Sequence, residues 1–261
     1  MTDRPSETTK FHTRLLNAAL AVADCRAYWA ARRTNAIPTP ETAFEKYWFG
    51  AKSLPWLRKL LVDMRARFDA FPSAIRVLAA WEDMSAGTRT SICHWHLQLA
   101  DPLYRRFTSE FLPDRTEGGF QTVKRSVIAR WINDVCPDRW QNTTRNEFAK
   151  KLVSAAADVG ILRRESKNEW RTGTPRVDDT ALIYLLHLLN EIDFAGTLTE
   201  NSCLRSVGID SVTLASRLQK SSAITIHCQG QLTDVTWQHQ SLIEWASAVG
   251  IFRTSVNRDV A

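Results

Sequence analysis

Apolar residues in the first hundred or so positions recur at intervals of three and four: Leu57, Leu60, Leu61, Met64 and Phe68; Ile75, Leu78 and Trp81; Ile92, Trp95 and Leu99; Leu103, Phe107 and Phe111. That spacing places each set on one face of an α-helix. Thr39-Pro40, Phe71-Pro72-Ser73 and Asp101-Pro102 read as helix starts. Proline lacks only an N–H that the first turn does not use, and Thr39 and Asp101 can cap. Residues 11–112 are therefore expected to be an N-terminal helical domain, preceded by a disordered Ser/Thr-rich tail over residues 1–10. A first helix is expected from Phe11 to Arg33. A short aromatic helix carrying Tyr47, Trp48 and Phe49 should close at Gly50.

The periodicity breaks at Leu112 to Phe120, where Pro113, Asp114, Gly118 and Gly119 cluster and mark a domain boundary. In residues 120–177 a helix is expected over Thr122 to Asp134, with Val123, Val127, Ile128 and Trp131 inward and Lys124, Arg125 and Arg130 outward. A second helix follows Asn142, with Thr144 and Glu147 as a capping box. Phe148, Leu152, Ala155, Ala156 and Val159 share its apolar face, while Asn146, Lys150 and Ser154 form a polar stripe opposite. Gly160 ends it. Ile161 to Glu165 and Trp170-Arg171 then flank the turn Ser166-Lys167-Asn168-Glu169. Helix, helix and basic hairpin together read as a winged-helix domain, a variant of the helix-turn-helix.

Ala181, Leu182, Leu185, Leu186 and Leu189 predict a further buried helix. Ala223 to Cys228 and Leu232 to Trp237 alternate with period two around Gly230, a second hairpin. Ser241, Leu242, Trp245 and Val249 suggest a closing helix before a polar tail from Arg253. Residues 178–261 are read as a small α+β part packed on the winged helix. The fold class is mainly α, with small β-hairpins.

Charge sharpens this picture. The chain of 261 residues has 34 Lys and Arg against 28 Asp and Glu, a formal net charge of +6. Gln121 to Arg176 holds 12 of those cations and 6 of the acids, so the whole excess lies there and the remainder is neutral. Charge gathered in one place attracts phosphate. The candidate DNA contacts are Lys124 and Arg125 on the supporting helix; Thr143, Thr144, Arg145, Asn146, Lys150 and Ser154 on the reading helix; and Arg163, Arg164, Lys167, Arg171 and Arg176 on or near the wing. Asparagine suits base edges and lysine suits phosphates, and a hydroxyl in the first helical turn meets phosphate at the positive end of the dipole. The wing would supply affinity independent of sequence. Trp131, Trp140 and Trp170 are assigned to the core.

Other chemistries find little support. Five scattered cysteines without a CxxC pair argue against a disulfide framework or a zinc ribbon, and point to a reducing compartment, the cytoplasm. The longest uncharged apolar runs, Leu15 to Ala23 and Thr180 to Asn190, fall short of the ~20 residues of a spanning helix. The first residues lack the apolar core of a signal peptide. In Cys93-His94-Trp95-His96 the two histidines point about 200° apart on a helix, whereas a chelating pair uses i, i+4 spacing, so no metal is expected. No phosphate loop, dinucleotide fingerprint, nucleophile elbow or paired carboxylate stands out. A non-catalytic protein without a cofactor is expected.

The stretches Leu54-Pro55-Trp56-Leu57, Phe71-Pro72, Ile92 to Phe107 (ICHWHLQLADPLYRRF) and Thr143 to Leu152 (TTRNEFAKKL) resemble the BrxA family of the bacterial BREX phage-defence systems, over roughly residues 11 to 195. The resemblance implies a mainly helical, non-catalytic protein with a winged-helix-like part that binds double-stranded DNA beside other BREX proteins. The individual contacts above come from the helical-face argument, not from the family. A rival reading is an interaction adaptor whose Trp29, Trp48, Trp56, Trp81 and Trp95 dock a partner subunit.

Overall fold

The computed structural model describes residues 4–34, 37–219, 221, 223–229 and 232–252. Residues 5–8, expected as part of a disordered tail, are an anchored strap. Thr8 N–H donates to the Leu99 carbonyl at 2.8 Å, Glu7 N–H to that of Asp193 at 3.0 Å, and Asp193 N–H to that of Pro5 at 2.8 Å. Glu7 also pairs with Arg105 at 3.4 Å, with both side chains largely buried. Polar composition hid these anchors, because the partners lie about a hundred and two hundred residues away.

The expected first helix is broken in two, a short turn at Arg14–Leu16 and α1 at Val22–Ala31. Ala21 between them is left-handed (φ 50°). The carbonyls freed there are collected by the buried Arg67 guanidinium, which donates to Leu20 O at 3.2 Å and Ala18 O at 2.5 Å. Asp63, 2.6 Å away, balances its charge. Helix α2 (Pro40–Glu45) starts as expected, with the Thr39 hydroxyl accepting from Thr42 N–H. Tyr47, Trp48 and Phe49 follow it in a turn rather than forming a helix of their own.

Helices α3 (Leu54–Met64), α4 (Pro72–Ala80) and α5 (Ala86–Ala100) build the interior, and almost all of α5 after Ser91 is buried. Helix α6 (Pro102–Arg106) is capped by Asp101. A π-helical turn (Phe107–Phe111) then leads into α7 (Leu112–Glu117). The interruption expected at Leu112 is thus helical as far as Glu117, and only Gly118 and Gly119 (φ 86°) make the turn. The widened turn precedes Pro113, which has no N–H to complete an ordinary helical ladder.

Next come strand β1 (Thr122–Lys124), α8 (Arg125–Val135), α9 (Asn142–Val159), β2 (Leu162–Ser166) and β3 (Glu169–Thr172). The helix expected from Thr122 starts three residues later, since Thr122–Lys124 pair antiparallel with β3. The sheet order is β1-β3-β2, with Val123 opposite Trp170 and Arg163 opposite Arg171. Val123, Leu162 and Trp170 form its buried side. Gly160 (φ 90°) closes α9, a conformation cheap only for glycine.

Helix α10 (Asp179–Asn190) is capped by Asp178, which also accepts from the Thr88 hydroxyl at 2.6 Å and so joins the starts of α5 and α10. Helices α11 (Ser202–Arg205) and α12 (Ser211–Leu218), the second hairpin of β4 (Ile224–Gln229) and β5 (Leu232–Trp237), and α13 (Leu242–Ala248) complete the order. Gly230 and the tail from Arg253 lie outside the described residues. This last part rests largely on the N-terminal helices: the Trp245 ring meets Trp81 at 5.8 Å, and Trp95 Nε1 donates to the Cys203 carbonyl. Toward the 120–177 segment it makes a close approach at Gly208 and Thr174. Buried apolar side chains form one continuous cluster from Leu15 to Ala246.

Candidate nucleic-acid interface

Helix α9 turns Phe148, Ala149, Leu152, Val153, Ala155 and Ala156 inward. Asn142, Thr143, Asn146, Lys150 and Ser154 are exposed along the other side, while Thr144 is half-buried. The expected capping box does not form. The helix begins two residues before Thr144, after Gln141, and no side chain caps it. Glu147 instead accepts from Lys150 Nζ at 2.5 Å. The first-turn N–H groups of α9 therefore have no side-chain cap, and that turn carries no acidic residue.

The thirteen candidate side chains fall into two groups. Arg145 donates across to Asn133 and ties α9 to α8, so it serves the scaffold. Arg171 is held by both oxygens of Glu165, at 2.8 and 2.9 Å, and by Gln121. The guanidinium keeps the Glu165 carboxyl below its ordinary range, so the pair is charged and mutually satisfied. Arg125 donates to Asn168 Oδ1 at 2.8 Å and lies 5.5 Å from the Trp170 ring, joining α8 to the hairpin tip. Arg164 reaches back to the Ser166 carbonyl at 3.3 Å. Lys124, Arg163, Lys167 and Arg176 are exposed and have no hydrogen-bond or ion-pair partner among the described residues.

Register explains why the charge count overstates the field. Arg163 and Arg171 are opposite one another, Thr122 is opposite Arg171, and Lys124 is opposite Glu169. Opposite residues share a face, so Glu165 and Glu169 interleave with three of the cations on the outer side of the sheet. Lys124 and Lys167, two of the four cations without a partner among the described residues, come together at the hairpin tip. There Lys124, Arg125 and Lys167, with Ser126, Ser166, Asn168 and Glu169, line a hollow of about 540 Å³ at the start of α8. Sequence reasoning misses Ser126, because it starts that helix at Thr122. A second cavity, about 710 Å³, lies elsewhere, between α7, the base of the sheet and residues 199–211. Its one arginine, Arg205, is tied to Asp114 and Glu117.

The histidines of α5 are both interior groups. His94 contacts Tyr104 Oη at 2.8 Å and Ser206 Oγ at 2.9 Å; His96 contacts the Arg67 carbonyl and Tyr184 Oη, both at 2.8 Å. All four ring nitrogens are occupied. Burial disfavours the imidazolium and lowers His94 to about 3 and His96 to about 4. Among the described residues no group of three potential ligands converges on a point. Cys25, Cys93, Cys136 and Cys203 are buried free thiols.

Of the tryptophans in the adaptor reading, Trp29 and Trp95 are buried and cannot form a docking face; Trp48, Trp56 and Trp81 are half-buried. Trp170 is buried, whereas Trp131 and Trp140 are half-buried against Phe111 (4.8 Å) and Phe148 (4.6 Å). Among the described residues no helix is long and apolar enough to cross a membrane.

Neither protein-family models nor curated proteins give a match to this chain. Among solved structures it is similar to one titled as the crystal structure of an uncharacterized protein from Magnetospirillum magneticum. The two share 14% identity at a TM-score of 0.55, over 77% of this chain and 100% of the other. At that identity the likeness concerns the fold alone.

Proposed function

We propose that residues 120–177 are a winged helix, with α9 as the reading helix and the β2–β3 hairpin as the wing, and that the protein binds duplex DNA without cleaving or modifying it. The observation that carries this reading is the order strand, helix, helix, hairpin, with β1 closing on β3. That order sets an uncapped helix with an exposed polar face beside a hairpin on which Arg163 and Lys167 have no partner among the described residues. A reading helix offers Asn146 and Lys150 to a groove, and its uncapped first-turn N–H groups suit a phosphate. Lys124, Arg163, Lys167 and Arg176 would take backbone phosphates. The sequence motifs of the N-terminal helices and α9 support a place beside other BREX proteins in a cytoplasmic phage-defence assembly, with no cofactor.

A mobility-shift series on a 20-base-pair duplex at several salt concentrations tests the reading. Log affinity should fall with log salt by roughly 0.9 for each phosphate neutralised. Absence of binding at low salt, or binding insensitive to salt, refutes it.

A further inference from the structure

The end of α2 carries a feature that neither the core nor the DNA reading uses. Tyr47 N–H bonds to the Phe44 carbonyl and Trp48 N–H to the Ala43 carbonyl, each at 3.2 Å. These are the paired bonds of a Schellman helix end, in which the residue after the cap must be left-handed. Glycine is the low-cost occupant there; here it is Tyr47, at φ 51°. The turn carries Phe49 into the core, 5% exposed, and holds the Tyr47 ring outward at 66% exposure. Phe44, 44% exposed, lies nearly parallel to it, with centroids 6.5 Å apart and planes at 26°. A bulky ring held largely in water gains little from burial to offset a conformation that costs free energy.

We propose that Phe44 and Tyr47 form a stacking platform for the unpaired bases of single-stranded nucleic acid. The surroundings favour that partner over a protein. Glu41, three residues before Phe44 on α2, pairs with Arg58 of α3 at 3.3 Å, and Glu45 and Lys46 on α2 and its end and Lys59 on α3 are exposed. An apolar protein face laid over the rings would strip water from these charges. A nucleotide strand alternates flat π-faces with solvated phosphates, so it uses the rings while leaving the charges wet. Lys46, whose Nζ lies 5.6 Å from the Trp48 ring, and Lys59 are the phosphate partners. The site does not rest on the duplex-binding reading and shares no residue with it.

The test uses the full chain and fluorescence anisotropy with a labelled 20-mer of thymidine and, separately, a labelled 20-base-pair duplex. Tyr47→Gly removes the ring and suits the left-handed backbone, so the variant should melt no lower than the parent. It should bind the thymidine strand about tenfold more weakly or worse, the usual effect of removing one stacked ring, with duplex affinity within about twofold. Phe44→Ala should weaken the strand likewise. Three results overturn the proposal: no strand binding by the parent, strand affinity unchanged in both variants, or strand binding lost equally on replacing Arg163, Arg164 and Lys167. Self-association in sedimentation that Tyr47→Gly abolishes would also overturn it, and would assign the rings to an interface between copies.

Discussion

Helices α5 and α9 both carry polar side chains along much of their length, yet they use them in opposite ways. In α5 every ring nitrogen of His94 and His96 has a partner, supplied by Tyr104, Ser206, Arg67 and Tyr184 from four other places in the chain. On α9, Asn146 and Ser154 have none among the described residues, and Lys150 has only its own helix's Glu147. A satisfied interior network specifies packing. A row of unsatisfied groups facing water is available to a ligand. The same distinction divides the cations, since Arg67 and Arg145 are structural whereas Arg163 and Lys167 are free.

The largest expected effect comes from the interior. Phe107, fully buried and within 5.7 Å of both the Phe111 and Trp131 rings, should cost about 3–5 kcal/mol as Phe107→Ala, read by urea denaturation. A loss below about 1 kcal/mol would show that this layer is loosely packed. Acid should then act through α5. His94 and His96 are neutral when folded and lowered to about 3 and about 4, so below pH 6.5 the unfolded chain takes up protons that the folded one does not. Stability should fall as pH drops from about 6.5 toward 4, by about 1.4 kcal/mol per pH unit for each histidine. His94→Gln should reduce that slope, and an unchanged slope would place the titration elsewhere.

Smaller effects separate the free cations from the spent ones. Replacing Arg163, Arg164 and Lys167 together by Ala should weaken binding to every duplex and flatten the salt slope by roughly 0.9 for each phosphate no longer neutralised. Parental affinity and slope in this variant would remove the wing from the reading. Asn146→Ala should alter preference among duplexes more than it alters the slope. The smallest change is expected from Arg171→Ala, whose guanidinium Glu165 already holds. A loss of DNA affinity as large as that of Arg163→Ala would mean that the pair opens on binding.

Much of this was legible locally. The helical periods of α3 to α6, the Thr39 and Asp101 caps, the end of α9 at Gly160 and both hairpins follow from side-chain spacing and turn chemistry within a few residues. The candidate reading helix and basic hairpin were therefore located from sequence. Their charge balance was not, because which cations are neutralised depends on strand register and on acids across the sheet.

The sequence by itself determined the elements whose stabilising contacts are near in the chain: a helix face repeats every three to four residues, and a glycine terminates where it stands. Only the tertiary structure decided the rest. Strand β1 is three residues long and exists because β3, some fifty residues on, supplies its partners. The break before α1 stands because Arg67 reaches the carbonyls of Ala18 and Leu20, and the strap at residues 5–8 is ordered because Leu99, Arg105 and Asp193 meet it. A hydrogen bond is specific to a few tenths of an ångström, whereas a sequence pattern records only that a polar group is present, not what will face it.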